Sequence, residues 1–270
     1  MSKIRGQIIL LIVMTSAFVS LAGCTSKSST QLNLPPGVTI EEYQLKDAPS
    51  LDPLTFIPVN GTQEEILSKH QQERGNSFPD NSFFQDGLPG FSVTVGDEKI
   101  LALLTFTNYT TDEGVFQKGT VQVTGNGKEL YSIQAGDASP LKNLQGLWGY
   151  SNHWVLEIAY VDLTIPPQNE ISLDVQGQLY QDGELLNDRN DYKEAFNFQM
   201  MNGKPFYFFD RDGKIGISYN GQEVILGYSQ IPHYQCCSAA QLNPRKAQDM
   251  VAFFGQREGK WYYVEIGVFQ

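Results

Sequence analysis

The chain has 270 residues, 30 of them acidic and 19 basic, for a formal net charge of −11. Such acidity argues against nucleic acid or anionic lipid headgroups as partners. The length suits one large or two small domains and buries a substantial core without disulfide staples.

Residues 1–23 read as a targeting segment rather than as part of a fold. Lys3 and Arg5 give a positive start, Ile8 to Met14 form an unbroken apolar run, and small residues lead to a processing site. The run is too short, and too interrupted by Thr15, Ser16 and Ser20, to make a spanning helix. Leu21-Ala22-Gly23-Cys24 closes the segment and resembles the lipobox of bacterial lipoproteins. That resemblance implies lipidation of Cys24, cleavage before it, and an extracytoplasmic chain held on the cell membrane or the outer membrane by lipid. Each buried methylene contributes roughly 0.8 kcal/mol, so two or three acyl chains anchor durably where one holds marginally. Thr25 stands where an inner-membrane retention aspartate would sit, so in an organism with an outer membrane the pattern implies sorting there. Without Lys3 and Arg5 the mature chain keeps 17 basic and 30 acidic residues, a net charge of about −13.

Thr25 to Gln31 is small and polar, the composition of a flexible tether. Tether and extended lead-in together span 24–60, the latter punctuated by Pro35, Pro36, Pro49, Pro53 and Pro58. A mainly β domain is expected over 61–270. It begins with Thr62-Gln63-Glu64-Glu65, a capping box that predicts a short helix through about Arg74. Gly75 to Pro89 reads as a loop. From Phe91 the period becomes two: Phe91 to Val95, Lys99 to Tyr109 and Thr120 to Thr124 are strands. Asn202-Gly203, Asp212-Gly213 and Asn220-Gly221 punctuate four further runs, from Phe196 to Tyr228, as an antiparallel meander. Gly-Lys-x-x-Tyr recurs at 127, 203 and 259, with unequal spacings that exclude a regular solenoid. The meander resembles one blade of a β-propeller, and the chain has room for about five blades at roughly 40–45 residues each. A β-sandwich or two packed β units explain the same alternation. Asn243-Pro244 is expected to open a second short helix, before a terminal hairpin from Val251 to Phe269.

The most unusual local feature is His233-Tyr234-Gln235-Cys236-Cys237. With Cys24 taken by lipid, Cys236 and Cys237 are the remaining thiols, in a compartment that favours disulfides. A vicinal disulfide would give a rigid ligand platform; a soft-metal site with His233 lacks a second cluster, and nothing in the pattern links His70 or His153 to it. Aromatic runs supply flat faces for a carbohydrate or protein partner, or simply pack between sheets. Trp148 and Trp154 flank a turn at Tyr150-Ser151-Asn152 and are expected to be the exposed pair. Catalytic signatures fail singly. Gly216-Ile217-Ser218-Tyr219-Asn220 misses the last glycine of a nucleophile elbow, and Ser139-Pro140-Leu141-Lys142 lacks its companion motifs. Asp210-Arg211-Asp212-Gly213 lacks the later ligands of a calcium loop. No catalytic residue, metal or cofactor is therefore assigned. The expectation is a tethered binding or interaction module, against a polysaccharide hydrolase with paired carboxylates or a purely structural envelope protein.

Overall fold

The computed structural model describes residues 32–49, 55–139, 142–164, 172–234 and 243–269. The protein is mainly β; among the described residues pairing is antiparallel except for one parallel bridge, and the three helices are short. The described strands fall into three sheets. In the first, β1 (Thr39–Gln44) pairs with the terminal hairpin of β16 (Met250–Arg257) and β17 (Lys260–Gly267), and two-residue β15 (Arg245–Lys246) completes the order β1-β17-β16-β15. The second begins with β2 (Ser82–Gln85), β3 (Leu88–Val95), β4 (Glu98–Thr111), β5 (Gly114–Gly125) and β6 (Lys128–Asp137). It continues through β7 (Leu144–Tyr150), β8 (His153–Thr164), β9 (Ser172–Gln181) and β10 (Glu184–Leu185), with β7 paired onto β8. The third is the expected meander: β11 (Glu194–Met201), β12 (Lys204–Arg211), β13 (Lys214–Tyr219) and β14 (Gln222–Tyr228).

Local chemistry explains the meander. At its three turns the paired residues Asn202/Gly203, Asp212/Gly213 and Asn220/Gly221 all have positive φ, the geometry that matches the twist of tightly linked strands. Alternation then builds the layers. Val251, Phe253, Val264 and Ile266 of the terminal sheet meet Phe206, Phe208, Ile215 and Ile217 of the meander in one core. The opposite parity of the terminal sheet, Met250, Ala252, Phe254 and Tyr263, packs on Leu45, Phe56 and Ile66, the last from α1 (Gln63–Lys69). The second face of the meander sets Ala195, Phe198 and Phe209 against Val155 and Leu179 of the large sheet. A fully buried aromatic contributes about 1.5–3 kcal/mol, so these shared faces dominate the stability. The stacking is compatible with a propeller-like or a sandwich-like arrangement, and no described sheet closes into a barrel. The large sheet curls on its own core, and its parallel bridge joins Gly136 to Val161. A Cβ at Gly136 would stand 2.0 Å from the Val161 carbonyl oxygen, so only glycine allows that approach.

Within the extended lead-in, Thr39–Gln44 is a sheet strand, because its residues find an open edge on β17. Three expectations are corrected. The stretch 75–89 is not all loop. Asp86-Gly87, both at positive φ, form the same kind of tight turn as in the meander and pair β2 with β3. The helix beginning at Thr62 has its full capping box but breaks at His70, with α2 (Gln71–Gly75) following. No helix starts at Asn243-Pro244. Instead the Asn243 side chain imitates a strand residue, accepting from Phe254 N (2.7 Å) and donating to Phe254 O (3.1 Å), and Arg245–Lys246 joins the sheet. The targeting segment, the tether and the thiols Cys24, Cys236 and Cys237 lie outside the described residues.

Candidate functional site

The two tryptophans part company. Trp154 is 4% exposed, inside the core of the curled sheet, which corrects the expectation of an exposed pair. The β7–β8 turn at Ser151 and Asn152, both at positive φ, sets a register in which Trp154, Leu156 and Ile158 share the inner face. Trp148 is half-buried against Phe198, ring centroids 5.1 Å apart, with Lys246 Nζ 4.8 Å from its centroid. His233 lies flat on Phe196 at 3.6 Å, with Nδ1 2.6 Å from Ile231 O and Nε2 2.9 Å from Glu194 Oε1.

Between Trp148 and His233 sits a residue that the sequence did not single out. Glu157 of β8 is 1% exposed. Its Oε1 accepts from Asn197 N (2.7 Å) and from the Tyr234 hydroxyl, and its Oε2 from Phe198 N (2.9 Å) and Lys246 Nζ (3.3 Å). The two amides converge because β11 bulges between Phe196 and Gln199, with Asn197 at φ 59°. Lys246 also donates to Phe198 O at 2.9 Å. Burial, reinforced by the Glu157 carboxylate, pushes the Tyr234 hydroxyl well above the ordinary tyrosine range. One carboxylate thus ties the curled sheet, the meander and the terminal sheet together, and its donor Lys246 lies over Trp148. With two donors on each oxygen it is a structural anchor. An asparagine within the aromatic run Phe196-Asn197-Phe198 was the only local sign of the bulge.

Two other features bear on function. Glu41, His70 and Glu265 bring potential metal-ligating atoms within 4.8 Å of one another, the one such group among the described residues. Burial pushes the Glu41 carboxyl up, but hydrogen bonds from Tyr43 and Lys69 outweigh it and hold the group below the ordinary carboxylate range. The second feature is the inner face of the curled sheet, which does not end with its core. Leu104 and Val121 are a buried cross-strand pair; further along the same parity, Phe106 lies opposite Gly119 and Val115 opposite Thr110. Phe84 faces Pro89, which shares its face with Phe91. Phe84, Phe106 and Val115 are 77%, 37% and 67% exposed. The buried apolar face therefore reaches solvent at Phe106 and Phe84, and Val115 stands beyond the hydrogen-bonded pair of Asn108 and Gln117 on the same parity.

No protein-family model matches this sequence, and no curated protein matches it.

Proposed function

We propose that this chain is a lipid-anchored extracytoplasmic interaction module that presents the outer part of the curled sheet's apolar face to an apolar segment of a partner protein. The observation that carries this reading is the exposure of Phe84 and Phe106 on the same face as the core residues Leu104 and Val121, with Val115 beyond the Asn108–Gln117 pair. Scattered apolar side chains are ordinary on a protein surface, whereas several on one face that leads out of a core mark an interaction surface. The saturated state of Glu157 supports the module over the hydrolase, since this buried carboxylate has no acceptor left to work with. No helix among the described residues is long and apolar enough to cross a membrane. Lipid on Cys24 is the attachment in this reading.

Site-specific photo-crosslinkers at Phe84 and Val115 test the surface in cells, with Ile225, exposed on β14, as control. Discrete adducts at the first two positions, lost in Phe106→Asp and missing from Ile225, are expected. Equal adducts at all three positions, or none at Phe84 and Val115, refute the surface. Metabolic labelling with palmitate tests the anchor separately: the label is expected to vanish in Cys24→Ser, and its persistence refutes lipidation there.

A further inference from the structure

In the pairing of β1 with β17, Glu41 stands directly opposite Glu265. Like charges in that position destabilise a strand pair unless something between them compensates. The surroundings compensate half of each carboxylate. Glu265 Oε1 accepts from Arg74 Nε (3.1 Å), Arg74 Nη2 and the Tyr263 hydroxyl (2.7 Å). Glu41 Oε2 accepts from Lys69 Nζ (3.2 Å) and the Tyr43 hydroxyl. The other halves are treated differently. Glu265 is 0% exposed, and its Oε2 is buried without a hydrogen-bond partner among the described residues. His70 Nε2 is buried and equally unpartnered, 3.6 Å from Glu41 Oε1. The break between α1 and α2 places His70 here, and its ring is fixed by stacking on Phe269 at 3.6 Å and 11°.

A buried carboxylate oxygen left bare costs about 1–3 kcal/mol or more. Two carboxylates and an imidazole that bring ligand atoms within 4.8 Å of one another, each carboxylate held by donors on one oxygen, have the layout of metal ligands with their outer partners. We propose that Glu41, His70 and Glu265 bind one divalent transition-metal ion through an imidazole nitrogen and two carboxylate oxygens, leaving an open coordination position. Ligands about 2.1 Å from such an ion are roughly 3–4 Å apart, so a group spanning 4.8 Å closes on the ion by small side-chain rotations. The mixed nitrogen and oxygen set suits zinc or manganese, whereas calcium wants six to eight oxygens. Arg74 and Lys69 already balance the two carboxylates, so coordination of the bare atoms, rather than net charge, drives binding. Lys69 holds the Oε2 side of Glu41, so it can stay in place as the ion enters at Oε1.

The test uses the full chain in detergent, stripped of metal and with its thiols alkylated so that cysteine cannot compete. Zinc chloride, and separately manganese chloride, is titrated by calorimetry. One ion per chain is expected, with affinity lowered more than tenfold in His70→Ala and in Glu41→Gln and unchanged in His153→Ala, which removes a histidine on β8 beside Asp182. Paramagnetic broadening by manganese provides a second readout that depends on no substitution. It is expected to be centred on residues 41, 70 and 265 in the unaltered chain. The site is overturned if neither ion binds, if binding survives His70→Ala and Glu41→Gln, or if the broadening centres elsewhere.

Discussion

Glu157 and Glu265 invite comparison, because each is a buried acid on a central strand with a basic side chain beside it. At Glu157 three sheets meet, and every lone pair that faces the protein has a donor, two of them backbone amides freed by a bulge. At Glu265 only two strands and a helix break meet. Three donors crowd one oxygen and none reaches the other. A saturated buried carboxylate makes a rigid joint; a half-saturated one keeps unspent coordination capacity at a cost in stability. The difference separates architecture from chemistry in a molecule where both acids look alike in sequence.

The largest expected effect breaks the joint. Glu157→Ala leaves Lys246 without its carboxylate and the Asn197 and Phe198 amides bare, and is expected to cost about 3–5 kcal/mol in urea unfolding of the full chain in detergent. A loss below about 1 kcal/mol would show that the joint is dispensable. The paired test replaces each acid by its amide. Glu157→Gln turns an NH2 group toward donors and is expected to cost about 1–3 kcal/mol. In metal-free chain, Glu265→Gln keeps its Oε1 bonds, relieves repulsion from Glu41, and is expected to cost no more than about 1 kcal/mol. Equal costs would erase the contrast. Thr62→Ala acts one step removed. It takes away the cap of α1, the helix that delivers His70, and is expected to cost about 1 kcal/mol, seen in the same unfolding curves.

The smallest effect concerns an intermediate case, Asp137, which has one donor on each oxygen: the Tyr109 hydroxyl (2.6 Å) and Leu163 N (3.0 Å). The hydrogen bond to Asp137, with burial second, pushes the Tyr109 hydroxyl up to about 12. The folded value lies above the unfolded one, about 10. The linked stability is therefore complete below about pH 10 and is lost as pH rises through about 12. Ultraviolet titration is expected to show one tyrosine ionising earlier in Asp137→Asn; an unchanged curve would detach Tyr109 from Asp137.

Local chemistry made much of the fold legible and little of the sites. Asn202-Gly203, Asp212-Gly213 and Asn220-Gly221 dictate their turns wherever the chain goes, so the meander could be read residue by residue. Asp86-Gly87 carried the same signal, and β2 went unread because Ser82–Gln85 is too short to show alternation. Asn243 misled because an asparagine before proline also opens helices; only the neighbouring Phe254 backbone, eleven residues on, decides its role. Trp154 went wrong for the opposite reason. Its inward direction follows from register, which the turn at Ser151 and Asn152 fixes and the aromatic pattern does not. Trp148 and His233 do come to one neighbourhood, but through Glu157, whose donors lie 40 residues away and more along the chain. Glu41, His70 and Glu265 are further apart still. Only the pairing of the lead-in strand with the last strand unites them.

That pairing also decides how the molecule responds to being pulled. Strand β1 is a sheet edge whose one strand neighbour is β17, and its first pair is Thr39 with Gly267. Tension applied from the N-terminal side, as a membrane leash would apply it, first strips Leu32, Leu34 and Val38 from the core and then opens the strand like a zipper from that pair, one rung at a time. The third and fourth rungs are the fastened ones. Glu41 is gripped on one face by Lys69 and Tyr43, and Glu42 on the other by Arg257 at 3.0 Å through both oxygens. The edge strand thus carries its own catch near the end where force arrives, and whatever tightens Glu41 against Glu265 raises the tension at which the body begins to unravel.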